Sequence, residues 1–103
     1  MHLYNITFMV DFGHADSLLK WLGNEGIKVL TDDPILSNPR LMRIADPANP
    51  EGEGLALQLD ADASIDGIRE WEPCALPEIF SRWLPDWQRY MVYFTTIMQP
   101  IEV

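Results

Sequence analysis

Between Leu3 and Phe12 the chain reads LYNITFMVDF. Tyr4, Ile6, Phe8, Val10 and Phe12 fall on one side of an extended chain, and Leu3, Asn5, Thr7, Met9 and Asp11 on the other. A period of two with an apolar first side predicts a strand lying on a core. The second side is neither greasy nor ionic. A strand face turned to water carries charges, whereas Asn, Thr and Met suit a surface half covered by a partner chain or a small cavity.

The period then changes. In GHADSLLKWLGNEG, Ala15, Leu18, Leu19 and Leu22 recur at i, i+3, i+4 and i+7, one stripe of a helix. His14 or Asp16 is placed to start it, Asp by accepting from the free N–H groups of a first turn. Gly23 and Gly26 weaken the helix, but Leu19, Leu22, Gly26 and Leu30 share a side, which predicts continuation to the break at Asp33-Pro34. In SNPRLMRIADP, Leu41, Arg43 and Ala45 alternate against Met42 and Ile44, a short second strand. ADPANPEGEG holds Asp46-Pro47, Asn49-Pro50 and two glycines, the composition of a loop. LALQLDAD sets Leu55, Leu57 and Leu59 against Ala56, Gln58 and Asp60, so the two strands form a hairpin.

Ser64 is an expected N-cap for IDGIREWE, a short helix that should break or kink at Pro73, where a backbone donor is lost. Pro77 suits the first turn of a second helical piece, PEIFSRWL, and Pro85 closes it. RYMVYFTTIMQPI, rich in aromatic and β-branched residues, reads as a long last strand. Tyr90, Val92 and Phe94 on one side and Met91, Tyr93 and Thr95 on the other are similarly mixed, so the pattern leaves open which set faces the helices. The order β-α-β-β-α-β predicts an α+β protein of ferredoxin-like topology, a four-stranded antiparallel sheet with helices on one face. Asn5, Thr7 and Gln58, with Arg43 as their neighbour, are expected on the uncovered face.

Composition narrows the function classes. The 103 residues, 48% of them apolar, suffice for one core and are read as a single domain, 1–103. A net charge of −9 repels phosphate backbones and anionic lipid, which argues against nucleic acid as a partner. No apolar run reaches the roughly 20 residues of a membrane helix, and the first residues lack a secretory pattern. With the lone Cys74 unable to form an internal disulfide, the expectation is a cytoplasmic protein that contacts no membrane.

Catalytic signals are sparse. Neither His2 nor His14 has neighbours at metal-ligand spacing, so no metal and no cofactor are expected, and catalytic residues remain unassigned. Cys74 lacks a nearby base and reads as a structural, buried thiol. Trp21, Trp71, Trp83 and Trp87 read as helix-to-sheet packing or a dimer seam. What remains is the uncharged stripe of Asn5, Thr7 and Gln58, to which Arg43 could add a two-pronged donor for a carboxylate. These groups either hydrogen-bond across a dimer interface or line a cavity where a few polar groups orient a small ligand.

YNITFMVD, WLGNEGIKVLTDDPILSNPRLMRIAD, LALQLDADAS and MVYFTTI together make the chain resemble a family of small bacterial proteins carrying domain of unknown function 4286. The resemblance implies a ferredoxin-like domain related to the dimeric α/β barrels, in which two sheets pair through their open faces. Pro73 and Pro77 depart from the usual pattern of that family. Two functions are therefore expected. One is a homodimeric interaction or small-ligand-binding protein using the open sheet face at Asn5, Thr7, Arg43 and Gln58. The alternative is a dimeric α/β barrel enzyme, monooxygenase- or isomerase-like, acting on a small organic substrate in the inter-sheet cavity.

Overall fold

A computed structural model of the chain describes residues 1–46 and 50–102. Strand β1 (His2–Asp11) leads into helix α1 (Phe12–Trp21), a π-helical turn at Leu22–Gly26 and helix α2 (Ile27–Thr31). Strands β2 (Leu36–Ile44) and β3 (Gly52–Ala61) follow, then helix α3 (Ile65–Trp83), a 3₁₀ turn at Trp87–Arg89 and strand β4 (Met91–Met98). All neighbouring strands are antiparallel, in the order β2-β3-β1-β4. The expected α+β, ferredoxin-like architecture is the one found. The turn formers expected at Pro47 and Asn49 lie outside the described residues.

Alternation in β1 and β3 builds the core. Tyr4, Ile6, Phe8 and Val10 lie beside Leu55, Leu57 and Leu59, under Leu18, Leu22 and Leu30 from the first helical rod and Ile68, Leu76 and Phe80 from α3. Burying that much apolar surface is the main drive for folding. Phe12 does not prolong the strand: it opens α1 and stays 59% exposed. The helix starts earlier than expected, capped by Asp11, three residues before His14 and five before Asp16. The Asp11 carboxylate accepts the His14 backbone N–H at 2.9 Å, satisfying a donor that the first turn leaves free.

Continuation past the glycines is also found, through the π turn. Gly26 is needed there because a Cβ would come within 2.8 Å of the Trp21 ring, which folds back over the rod and meets Phe80 edge-on.

The expected break at Pro73 does not occur. Residues 65 to 83 form one helix with Pro73 and Pro77 inside it, capped by the Ser64 hydroxyl, which accepts from the Gly67 N–H at 3.0 Å. Pro73 is exposed and Pro77 half-buried, so the carbonyls deprived of a donor sit near solvent. Ile68, Leu76 and Phe80, fully buried on either side of the prolines, hold the rod against the sheet despite the lost hydrogen bonds.

In β2, Ser37 pairs with Asp60 but Arg40, three residues on, pairs with Gln58, two residues on. The extra residue is a β-bulge, with Asn38 at φ 52°, a left-handed backbone that Asn tolerates better than most residues. The Asn38 amide donates to Asp60 Oδ2 at 2.7 Å. Pro39 is accommodated because β2 is an edge strand and the bulge interrupts its ladder.

Candidate functional site: the uncovered sheet face

Strand pairing defines the face away from the helices, since side chains paired across strands point the same way. Across β4, β1, β3 and β2 its central rows read Thr96, Asn5, Gln58, Arg40, then Phe94, Thr7, Ala56, Met42, then Val92, Met9, Gly54, Ile44. Leu3 and Asp60 begin the polar end. The undecided last strand thus turns Val92, Phe94, Thr96 and Met98 to this face and Met91, Tyr93, Thr95 and Ile97 to the helices.

The face has two unlike ends. Val92 is 62% exposed and Phe94 55%, with Met42 and Ile44 also uncovered, an apolar patch without a lid of its own. At the centre, Asn5 and Thr7 are buried by their sheet neighbours, and Asn5 Nδ2 donates to Thr7 Oγ1 at 2.9 Å. That mutual bond removes part of the cost of holding polar groups away from water. Gln58 is half-buried beside Asn5.

Three of the four expected site residues, Asn5, Thr7 and Gln58, therefore share this face. Arg43 does not join them. It pairs with Leu55, on the helix side, and its guanidinium lies 3.4 Å from Glu53. The cation beside Gln58 is Arg40 instead. The bulge is the cause: one extra residue reverses the alternation of β2, putting Leu36 and Leu41 toward the core and Arg40, Met42 and Ile44 on the open face. The signal was present in sequence as Asn38-Pro39, a turn-forming pair inside a strand. At the polar end a cleft of about 550 Å³ is lined by Leu3, Asn38, Pro39, Arg40, Gln58 and Asp60.

Elsewhere, the His14 ring stacks on Tyr90 at 4.1 Å, and its Nδ1 lies 2.8 Å from Asp11 Oδ1. Both groups are about half exposed, and the arrangement completes the start of α1. His2 is tied down through Nδ1, 2.9 Å from the Ala63 carbonyl oxygen. Cys74, expected to be buried, is exposed in the middle of α3, too far from a helix N-terminus for that end to activate it. The tryptophans mostly pack helix to sheet, as expected. Trp71 meets Tyr4 edge-on and donates to Asp33 Oδ2 at 2.7 Å, while Trp87 leans on Phe80 and Tyr93. Asp33 thus ties the turn before β2 to α3, its other oxygen accepting the Ile35 N–H at 3.1 Å.

Under α3, Glu72 accepts from Arg69 at 2.6 Å and from the Thr95 hydroxyl. Burial, reinforced by the Glu72 carboxylate, pushes the ionisation of Tyr4 well above the ordinary phenol range. Among the described residues no three His, Cys, Asp or Glu side chains gather as metal ligands, and no helix is long and apolar enough to cross a membrane.

The chain belongs to the family described as Domain of unknown function (DUF4286), which it matches over residues 1–101. No curated protein matches it by sequence. Among solved structures it is similar to HapK from Hahella chejuensis, with a TM-score of 0.67 at 12% identity, covering 100% of this chain and 95% of that one. It is similar also to a NIPSNAP domain protein from Burkholderia xenovorans, with a TM-score of 0.61 at 16% identity over 98% and 95% of the two chains. A third similar structure, described as a dimeric ferredoxin-like protein from an uncultured marine organism, gives a TM-score of 0.58 at 14% identity over 100% and 99%. At such identities the likeness establishes a shared fold, that of ferredoxin-like proteins with dimeric members, and no particular chemistry.

Proposed function

We propose that residues 1–103 act as a single cytoplasmic domain that pairs with a second copy through the uncovered sheet face and binds a small molecule beside the stripe of Asn5, Thr7 and Gln58. The observation that carries the reading is the contrast within one face: Val92 and Phe94 stay more than half exposed while Asn5 and Thr7 between them and the polar end are already buried. Four strands spaced ~4.8 Å apart and nine residues long present a face of roughly 600 Å² in projection. That approaches the roughly 800 Å² per partner of a standard stable interface. A second copy suits it because a twofold contact sets one patch against itself, and a structure of the same fold is described as dimeric.

The net charge of −9 works against polyanionic partners. The enzyme alternative finds its best-oriented acid–base pair in Asp11 and His14, at the opposite end of β1 from the polar cleft, so the ligand-binding reading makes fuller use of the stripe. Light scattering on a sizing column tests the pairing. A mass of two chains at micromolar concentration supports it, and a single-chain mass at about 100 μM, well above the dissociation constants of stable dimers, overturns it.

A further inference from the structure

The cleft at the polar end holds two opposite charges that the fold leaves for something else. Arg40 makes no ion pair among the described residues, in contrast to Arg43, Arg69 and Arg82. Asp60 lines the cleft with one carboxylate oxygen, Oδ2, engaged by the Asn38 amide, which orients the group. Gln58 stands between them: it pairs with Arg40 across the strands and sits two residues from Asp60 on the same face of β3, a separation of roughly 7 Å. Leu3 and Pro39 supply apolar wall in a space of about 550 Å³, large enough for a small molecule.

We propose that this cleft binds the charged end of a free α-amino acid with an apolar side chain, the ligand carboxylate on the Arg40 guanidinium and the Gln58 amide, and its ammonium on Asp60. A guanidinium fork matches a carboxylate in two parallel hydrogen bonds. Charge selects the zwitterion over a simple carboxylate. A chain at −9 repels an anion at long range, and Asp60 repels it at short range, whereas an amino acid carries no net charge and satisfies both residues. The bulge at Asn38 is what makes the site, because it turns Arg40 onto this face and fixes Asp60 with the same residue. The inference deepens the ligand-binding half of the proposed function and does not depend on the sheets pairing.

The test is amide NMR of the full chain titrated with L-leucine, with isocaproate, which lacks the ammonium, and with isoamylamine, which lacks the carboxylate. Leucine is expected to give saturable shifts centred on Arg40, Gln58 and Asp60, and each half-molecule to bind at least about tenfold more weakly, a loss of ~1.4 kcal/mol. Arg40→Gln and Asp60→Asn, both at partly open positions and both keeping a native spectrum, should each weaken leucine by a similar factor. Absence of saturable shifts at these residues up to about 20 mM, weaker than the millimolar end of useful affinity, overturns the site, as does isocaproate binding as tightly as leucine. Light scattering on the same samples separates the two readings. A dimer that ignores leucine overturns the site alone, and a single chain that binds it upholds the site while overturning the pairing.

Discussion

Phe94→Thr isolates the contribution of the open face to pairing. Phe94 is 55% exposed in the single chain, and a Phe presents roughly 200 Å², so about 110 Å² of its surface awaits cover. At ~25 cal/mol per Å² that is about 2.7 kcal/mol per copy, and twofold symmetry counts it twice, for a ceiling of about 5 kcal/mol per dimer. Association returns only part of the transferred area as affinity. Taking about half leaves about 2–3 kcal/mol, a dissociation constant raised roughly 30- to 150-fold. Threonine retains strand propensity, so the melting temperature of the dissociated chain should scarcely move. Sedimentation equilibrium across a concentration series reads the constant directly. Trp83→Gln provides the comparison, since Trp83 is 41% exposed but sits on α3, and its loss should leave the constant unchanged. Equal effects from the two variants, or none from Phe94→Thr, would refute the assignment of this face to the interface.

Replacing Pro73 by Ala should stabilise the fold by about 1–2 kcal/mol, because an exposed mid-helix position regains its hydrogen bond; urea denaturation showing a loss of stability would mean the proline shapes α3 in a way its exposure does not reveal. A double-mutant cycle on Asp33→Ala and Trp71→Phe should return a coupling of about 1–2 kcal/mol for the hydrogen bond joining the turn before β2 to α3, and strict additivity would count against that tie. The Tyr4 ionisation is raised chiefly by burial and then by Glu72, with Tyr90 and Tyr93 also raised by burial first. Above pH ~10 the unfolded chain therefore releases phenol protons that the folded chain keeps, and stability must fall as pH rises through that value. Chemical denaturation at pH 8 to 11 should show that fall, made shallower by Tyr4→Phe, and a stability that is flat or rising there would contradict the buried phenol.

Apolar periodicity alone determined most of the architecture. Tyr4 to Val10 and Leu55 to Leu59 alternate so cleanly that only one face of each strand can be buried, and the stripe from Ala15 to Leu30 carries a helix across two glycines. These are local consequences of side-chain direction, which is why they can be read along the chain. The same pattern placed Asn5, Thr7 and Gln58 together. Three features were decided only in three dimensions. Pro73 and Pro77 stay within one helix because core contacts on both sides of them outweigh two missing hydrogen bonds, a balance no local propensity contains. The faces of β4 depend on which of two equally mixed sides lines up with Ile6 and Phe8 of β1 on the helix side. Arg40 rather than Arg43 stands beside Gln58 because a single inserted residue at Asn38 reverses every side chain after it, and a bulge is set by the partner strand's register as much as by its own sequence.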